Sequence, residues 1–223
     1  MKIIITGSEG LIGKATSTYL SNEGHEIVRV DQVLGHDLSN EGFVRSWFKE
    51  NPADALVNLF ALNDHVDSSA RNETFLDLSL DSFSLYLEIN VTSLFSVCRE
   101  FIRSNDAGAI VNASSIYGVQ SPRPVLYGGG EKHLGYGVSK AAVLALSRHL
   151  AVHAAPKFRV NSVVFGGIEN NQPSDFIERY GANVPLGRMG DKDEVAPVIE
   201  FLVTSQSKYM TGSSVTFDGG WTA

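Results

Sequence analysis

Lys2-Ile3-Ile4-Ile5-Thr6-Gly7-Ser8-Glu9-Gly10-Leu11-Ile12-Gly13 is the stretch that decides the fold. Its apolar start suits a buried parallel strand. A helical pattern begins at its end, with Leu11, Ile12, Ala15 and Leu20 on one side. Glycines at 7, 10 and 13 stand between the two. The first allows a tight turn, the second lets backbone approach a pyrophosphate, and the third lets the helix pack on the strand. The helix N-terminus then offers free N–H groups and the positive end of its dipole to phosphates. A glycine-rich turn without a ligand is the plainer alternative, and the strand before and helix after it favour the dinucleotide loop.

Working outward, Glu26-Ile27-Val28-Arg29-Val30-Asp31 reads as a second strand ending in an acid 18 residues after Gly13. A carboxylate there accepts ribose hydroxyls and repels a 2′-phosphate, and Glu9 adds negative charge nearby. Arg29 is the one cation at hand. The pattern therefore favours NAD(H) over NADP(H), although Asp31 could instead cap a loop. Further strands are expected near 2–6, 54–60, 108–114, 158–165 and 213–217, with helices near 11–23, 40–50, 82–104, 136–154 and 191–204. Between Asp31 and Asp37 there is room only for a loop and a very short strand. Alternating strand and helix gives an α/β fold: one Rossmann-type, doubly wound parallel sheet covered on both faces, a single domain over 1–223.

Bulk properties narrow the partners. The length of 223 residues suits one sizeable core. A net charge of −7 argues against nucleic acid or an anionic membrane. Cys98 is the single cysteine, as suits a reducing compartment. No run of 18 or more apolar residues is present, and the first residues enter a core strand directly, so a cytoplasmic location without a signal peptide is expected.

Tyr136 and Lys140 are candidates for the chemistry, although the pair alone does not establish it. Four apart, they share one face of a helix. A free phenol has a pKa of about 10, and bringing it to about 7 takes ~4 kcal/mol of differential stabilisation. A close ammonium and a cationic cofactor ring supply that in a dry site. A packed ring beside a solvated amine is the bland alternative. His149 and His153 have a spacing that can bind metal, but no Cys or carboxylate stands near them in sequence, so a subunit interface or solvated face is preferred and no metal is expected.

Together these features resemble the short-chain dehydrogenase/reductase family, in its single-domain reductase branch. The resemblance covers nearly the whole chain. It runs through Thr6-Gly7, Gly10, Gly13, Asp31, Asp37-Leu38, Asp54-Ala55-Leu56-Val57-Asn58, Asn90, Ile110-Val111-Asn112-Ala113-Ser114-Ser115, Tyr136 and Lys140. It continues through Arg159-Val160-Asn161-Ser162-Val163, Pro185-Leu186-Gly187-Arg188-Met189-Gly190, Thr211-Gly212 and Asp218-Gly219-Gly220-Trp221. It implies hydride exchange between a nicotinamide and a carbonyl or alcohol. Tyr136 then moves the proton, Ser115 steadies the carbonyl, Lys140 binds the nicotinamide ribose and lowers the Tyr136 pKa, and Asn90 holds a relay water. Ser114 is the neighbour of Ser115 and points to the other face of an extended strand. The amide of Asn90, on a mostly apolar helix, is otherwise a satisfied buried group. The cofactor contacts implied are Gly7, Glu9, Gly10, Leu11, Ile12, Gly13, Asp31, Asp37, Leu38, Ala61, Tyr136, Lys140, Gly167 and Ile168. The resemblance also implies a homo-oligomer, dimer or tetramer, built through the helices of Asn90 and Lys140 and the C-terminal strand, where Trp221 fits a contact.

Several stretches depart from the family. A family helix after Asp31 is missing. Asn58-Leu59-Phe60-Ala61 lacks the usual glycine. Phe165-Gly166-Gly167-Ile168 replaces the usual Pro-Gly, and it opens a substrate loop over about 166–190. Residues 122–133 form an insertion with three consecutive glycines, expected as a mobile flap or a solvated loop tip. In the flap reading Arg123, Tyr127, Lys132 and His133 meet a polar or anionic substrate, with Gln172 a further contact. Ser115-Ile116-Tyr117-Gly118-Val119, Tyr127-Gly128-Gly129 and residues 166–173 look like reductases of surface-polysaccharide and flagellin-glycan pathways, which implies a sugar or nucleotide-sugar carbonyl. An NAD-retaining sugar epimerase or dehydratase and a dinucleotide-sensing protein are the alternatives.

Overall fold

The computed structural model describes residues 1–63, 74–127 and 131–223. Six parallel strands form one sheet: β1 Lys2–Thr6, β2 Glu26–Val30, β3 Ala55–Asn58, β4 Gly108–Ser115, β5 Phe158–Phe165 and β6 Ser214–Phe217, in the order β2-β1-β3-β4-β5-β6. The helices are α1 Leu11–Asn22, α2 Glu41–Glu50, α3 Leu80–Leu87, α4 Ser93–Ser104, α5 Leu134–Ala154, α6 Ser174–Gly181 and α7 Ala196–Val203.

The strand alternation sorts the core. Ile4, Leu56, Ile110 and Val160 face α2, α4 and α5, where Val44, Phe48, Val97, Phe101 and Val143 meet them. Ile3, Ile5, Val57, Val111 and Val163 face the other way, against Leu20 of α1 and Ile199, Leu202 and Val203 of α7. Each fully buried aliphatic side chain contributes about 1.5–3 kcal/mol. Apolar character on both faces of every central strand is what an all-parallel sheet requires. A third cluster (Ile116, Leu126, Leu144, Val164, Tyr180, Val184, Met189 and Trp221) fills the carboxyl edge beyond β4 and β5.

The doubly wound, single-domain expectation is borne out, and four local expectations are corrected. The region after Asp31 holds a 3-10 turn, Gln32–Leu34, rather than a short strand. The helix expected over 82–104 is broken by a π turn, Glu88–Thr92. There the N–H and hydroxyl of Ser93 both bond the Glu88 carbonyl five residues back, which drives Asn90 inward. The segment over 166–190 contains α6. Finally, Trp221 is no surface contact. It is 4% exposed, stacked on Tyr180 at 4.6 Å and covered by the Arg123 guanidinium at 4.9 Å.

Among the described residues no helix is long and apolar enough to cross a membrane, and no group of acidic, His or Cys residues could hold a metal. His149 and His153 are exposed and ring-stacked at 6.3 Å. Cys98 is buried beside Asn58 and Asn112, and burial pushes its thiol up to about 12.

Candidate active site

The glycine loop is shaped as its spacing predicts. Gly7 adopts φ +69°, and a Cβ there would lie 2.5 Å from the Phe60 nitrogen. A Cβ on Gly13 would lie 2.1 Å from the Gly7 carbonyl oxygen, so only glycine lets α1 seat against the loop. Gly10 caps α1 with no side-chain acceptor, which leaves the first-turn N–H groups to a ligand.

Beside this loop opens a cavity of about 430 Å³, lined among others by Gly7, Gly10, Asp31, Asp37, Leu38 and Ala61. Gln32, His36, Leu59, Phe60, Leu62, Leu85 and Ile89 also line it, and sequence reasoning had not placed them as cofactor contacts. The Asp31 carboxylate accepts from the Glu9 and Val33 N–H groups, at 2.9 and 3.1 Å. Each oxygen keeps a second lone pair for a hydroxyl donor. The Asp37 carboxylate takes the Ser39 N–H and hydroxyl, which holds its pKa low. Arg29 pairs with Glu9 at 2.5 Å, so the one cation near the second strand's end already has an anion. A pyrophosphate-linked dinucleotide fits this donor set: open N–H groups at a helix start, a carboxylate for diol hydroxyls and an apolar wall.

At the carboxyl end of β4 the two serines divide. The Ser114 hydroxyl donates to the Lys140 carbonyl at 2.8 Å and ties α5 to the sheet. The Ser115 hydroxyl accepts from the Tyr117 N–H and lies near enough to the Tyr136 phenol to favour its ionised form. The 3-10 turn Ile116–Gly118 reaches this place because Gly118 lies against the Lys140 backbone, where a Cβ would sit 2.7 Å from its carbonyl carbon. Lys140 is 4% exposed, its ammonium donates to the Ala113 carbonyl at 2.9 Å, and burial lowers its pKa to about 8. Its Nζ is 5.7 Å from the Tyr136 ring centre.

The expected lowering of the Tyr136 pKa is not present in the chain by itself. Burial pushes the phenol up to about 12, and the neighbouring Ser115 hydroxyl only partly opposes this. The Lys140 ammonium directs an N–H at the Ala113 carbonyl, and desolvation dominates at the phenol.

Asn90 is buried, as its helix implied, but its amide is taken by protein. Its Oδ1 accepts from the Leu62 N–H, and its Nδ2 donates to the Leu62 carbonyl and the Ser139 hydroxyl. Both amide hydrogens are thus spent on the Leu62 backbone and on α5. The tentative substrate residues separate. Tyr127 stays beside the site, its hydroxyl bonded to that of Tyr117. His133 instead caps α5: its Nδ1 accepts from the Gly135 N–H, its Nε2 meets the Ser82 hydroxyl, and its ring stacks on Tyr86 at 4.0 Å. Gln172 folds back on its own loop through the Asn170 N–H and the Ile168 carbonyl. Gly167 gives its N–H to the Tyr180 hydroxyl, and Ile168 bridges to Gly190.

The described residues at the start of the insertion are anchored. Leu126 is fully buried, and Arg123 bonds Asn183. Gly128–Gly130, on which the flap expectation rested, lie outside the described residues.

A glycine cradle opening the first helix, with a Ser, Tyr and Lys gathered at the sheet's carboxyl edge, defines a dinucleotide-dependent oxidoreductase architecture. A family model described as enoyl-(acyl carrier protein) reductase matches residues 14–222. The chain is 29% identical to a 3-oxoacyl-[acyl-carrier-protein] reductase of Aquifex aeolicus, over 98% of this chain and 86% of that protein. It is also 29% identical to a glucose 1-dehydrogenase of Gluconobacter oxydans, over 99% and 91%. It spans 43% of a longer short-chain-type relative that it matches at 30% identity. A crystal structure of a short chain dehydrogenase from Leptospira borgpetersenii with bound NAD+ superposes with a TM-score of 0.85 at 27% identity, covering 100% of this chain and 92% of that one. The chain belongs to the short-chain dehydrogenase/reductase family, oxidoreductases that act on CH–OH and C=O groups.

Proposed function

We propose that the protein interconverts an alcohol and a carbonyl with NAD(H), with Tyr136 as the proton-transfer group. The observation that carries this is the buried Lys140 ammonium, 4% exposed and 5.7 Å from the centre of the Tyr136 ring, at the carboxyl end of β4 where Ser115 stands. A bound nicotinamide dinucleotide supplies or accepts the hydride. Gly7, Gly10, Leu11, Ile12 and Gly13 hold its phosphates, and Asp31 takes ribose hydroxyls. Asp37, Leu38 and Ala61 wall the adenine end, and Gly167 and Ile168 wall the other. Ser115 donates a hydrogen bond to the substrate oxygen, Tyr136 gives or takes its proton, and Lys140 supplies positive charge beside the phenol. Asn90 fixes Leu62 and Ser139 in place.

NADH is the preferred form because Asp31 repels a 2′-phosphate and Arg29 is committed to Glu9. A sugar or nucleotide-sugar carbonyl is the substrate class proposed. The glycan-pathway stretches support it, as does the hydroxyl pair of Tyr117 and Tyr127, which suits a polyhydroxylated ligand better than an alkyl chain. Assembly as a homo-oligomer is supported by exposed Phe95 on α4 and Val138 and Val152 on α5.

The test is the initial rate of NADH oxidation over nucleotide-activated keto sugars, free keto sugars, acyl-thioester ketones and simple ketones, with NADPH and Tyr136→Phe as controls. Tyr136→Phe should lose at least ~10³-fold in turnover, as expected for removal of a proton donor, with NADH affinity unchanged. Tight NADH binding without turnover of any carbonyl would overturn the reading in favour of a retained-cofactor isomerase or a sensor.

A further inference from the structure

Lys132 ends the insertion and reaches two places at once. Its Nζ lies 4.9 Å from the centre of the Tyr136 ring, and it donates to Asn63 Oδ1 at 2.6 Å. It is the nearer of two ammonium groups on that ring, since Lys140 stands at 5.7 Å. Both fall within the ~6 Å over which a cation is attracted to an aromatic face.

The chain on either side of Lys132 is fixed. Glu131 accepts from the Phe75 N–H at 3.0 Å, and His133 is pinned by Gly135, Ser82 and Tyr86. The backbone on both sides of Lys132 is thus held, and the Asn63 hydrogen bond offsets part of the side-chain entropy lost in placing the amine over the ring. Its partner Asn63 directly follows Leu62, whose backbone the Asn90 amide holds. Asn90 also reaches Ser139, and the Ser139 hydroxyl bonds the Tyr136 carbonyl at 2.8 Å. Two routes thus join the loop after β3 to Tyr136, one through the buried amide to its backbone and one through Lys132 to its ring.

We propose that Lys132 is a positioning residue for Tyr136: a second ammonium that orients the phenol ring and favours its ionised form. This rests on Tyr136 being the proton-transfer group. The titratable groups that meet Tyr136, among the described residues, are Lys140 from its own helix, Lys132 from the insertion, Tyr117 from the turn after β4 and Tyr127 from the turn Pro124–Tyr127. Ser115 adds a neutral hydroxyl that favours the phenolate. Tyr117 and Tyr127 are both kept protonated by burial, and Arg123 opposes this only for Tyr117. The two lysines are therefore the positive charges that stand over the Tyr136 ring, and Lys140 shares its ammonium with the Ala113 carbonyl.

The experiment reads Tyr136 ionisation in two ways in the full-length protein with NAD+ present. One is the tyrosinate absorbance difference between each protein and its Tyr136→Phe partner. The other is the pH profile of kcat for alcohol oxidation. Lys132→Met should raise both midpoints by about 0.5–1 pH unit, the lower end of a close-charge effect for a half-exposed amine. Oxidation should slow about 3–10-fold below the midpoint, and Lys132→Arg should restore the profile. Lys132→Gln provides a second neutral variant should the Met protein fold poorly. Unshifted midpoints in the neutral variants, or an equal shift in Lys132→Arg, would overturn the assignment. A shifted tyrosinate midpoint in a protein that turns over no carbonyl would sustain Lys132 and sink the reductase reading, because the absorbance arm needs no substrate.

Discussion

Around residues 7–13 the site is made of backbone, and across residues 116–127 and 176–221 it is made of rings. The glycine loop works because side chains are missing: Gly7 and Gly13 are pressed against Phe60 and Gly7 backbone, and Gly10 leaves its helix start uncapped. The opposite flank works because side chains interlock. Trp221 stacks on Tyr180, Arg123 covers Trp221, Tyr180 donates nothing to the sheet but accepts the Gly167 N–H, and Tyr127 leans on Phe176 at 5.8 Å. A backbone cradle tolerates almost no addition, whereas an aromatic wall tolerates exchange of one ring for another and suffers from deletion. That difference suits a cofactor common to a whole family on one flank and a substrate particular to one member on the other.

Adding a single methyl group to the cradle is expected to have the largest effect. Gly13→Ala puts a Cβ 2.1 Å from a backbone oxygen that has no flexible way out. The cost should be about 4 kcal/mol or more, above the usual range for overpacking. Urea unfolding and NADH titration should show both stability and binding lost. A variant with near wild-type NADH affinity would break the account of the loop.

Deletion on the aromatic flank is next. Trp221→Ala removes the ring on which Tyr180 and Arg123 pack, at about 3–5 kcal/mol. The comparison is sharpened by what should change less, the NADH affinity: Gly7, Gly10 and Gly13 are not members of the third apolar cluster, which meets the proposed cofactor wall through the Tyr180–Gly167 hydrogen bond. Equal losses of stability and NADH affinity would mean that the two flanks are mechanically one.

The same contrast explains how much was legible in the sequence. The cradle is local, with a strand, a turn and a helix within a few residues of each other fixing Gly7 and Gly10, while Ser115 at a strand end and Tyr136 and Lys140 on one helix face are each placed by their own element. Ser114 and Ser115 could be told apart from strand alternation alone. The flank made of rings depends on contacts between positions about a hundred residues apart, such as Arg123 with Trp221, and a linear pattern does not specify these. Trp221 near the terminus therefore read as a subunit contact, and His133 in a polar stretch read as a substrate ligand although it caps a helix. Helix α6 was hidden for a related reason. It is short, and its apolar residues Phe176, Ile177 and Tyr180 only make sense against Tyr127 and Trp221. The π turn at Asn90 has no sequence signal beyond a polar amide in an apolar run.

Lys140 belongs to neither flank, and the smallest expected effect concerns its charge. Burial lowers its pKa to about 8 in the folded chain, against about 10.4 in an unfolded one. Below pH 8 both states hold the proton, and the folded state carries the full penalty of a desolvated ammonium. Between pH 8 and about 10.4 the unfolded chain still binds the proton while the folded chain has released it, so stability rises with pH over that window. Integrated across it, the penalty is about 3 kcal/mol, reduced by whatever the Ala113 hydrogen bond returns. Lys140→Met should therefore be more stable than the wild type at pH 7 by about 2 kcal/mol, with the gap closing as pH approaches 10 and turnover lost throughout. Urea unfolding midpoints of the two proteins from pH 7 to pH 10 measure this directly. A constant gap would show that the amine is not titrating in the window, and a less stable Met variant at pH 7 would show that the Ala113 bond outweighs desolvation. The gap closing with pH is the stronger sign, because lost packing would not depend on pH, and it would mean that the chain gives up stability at the one place where the proposed chemistry needs a buried charge.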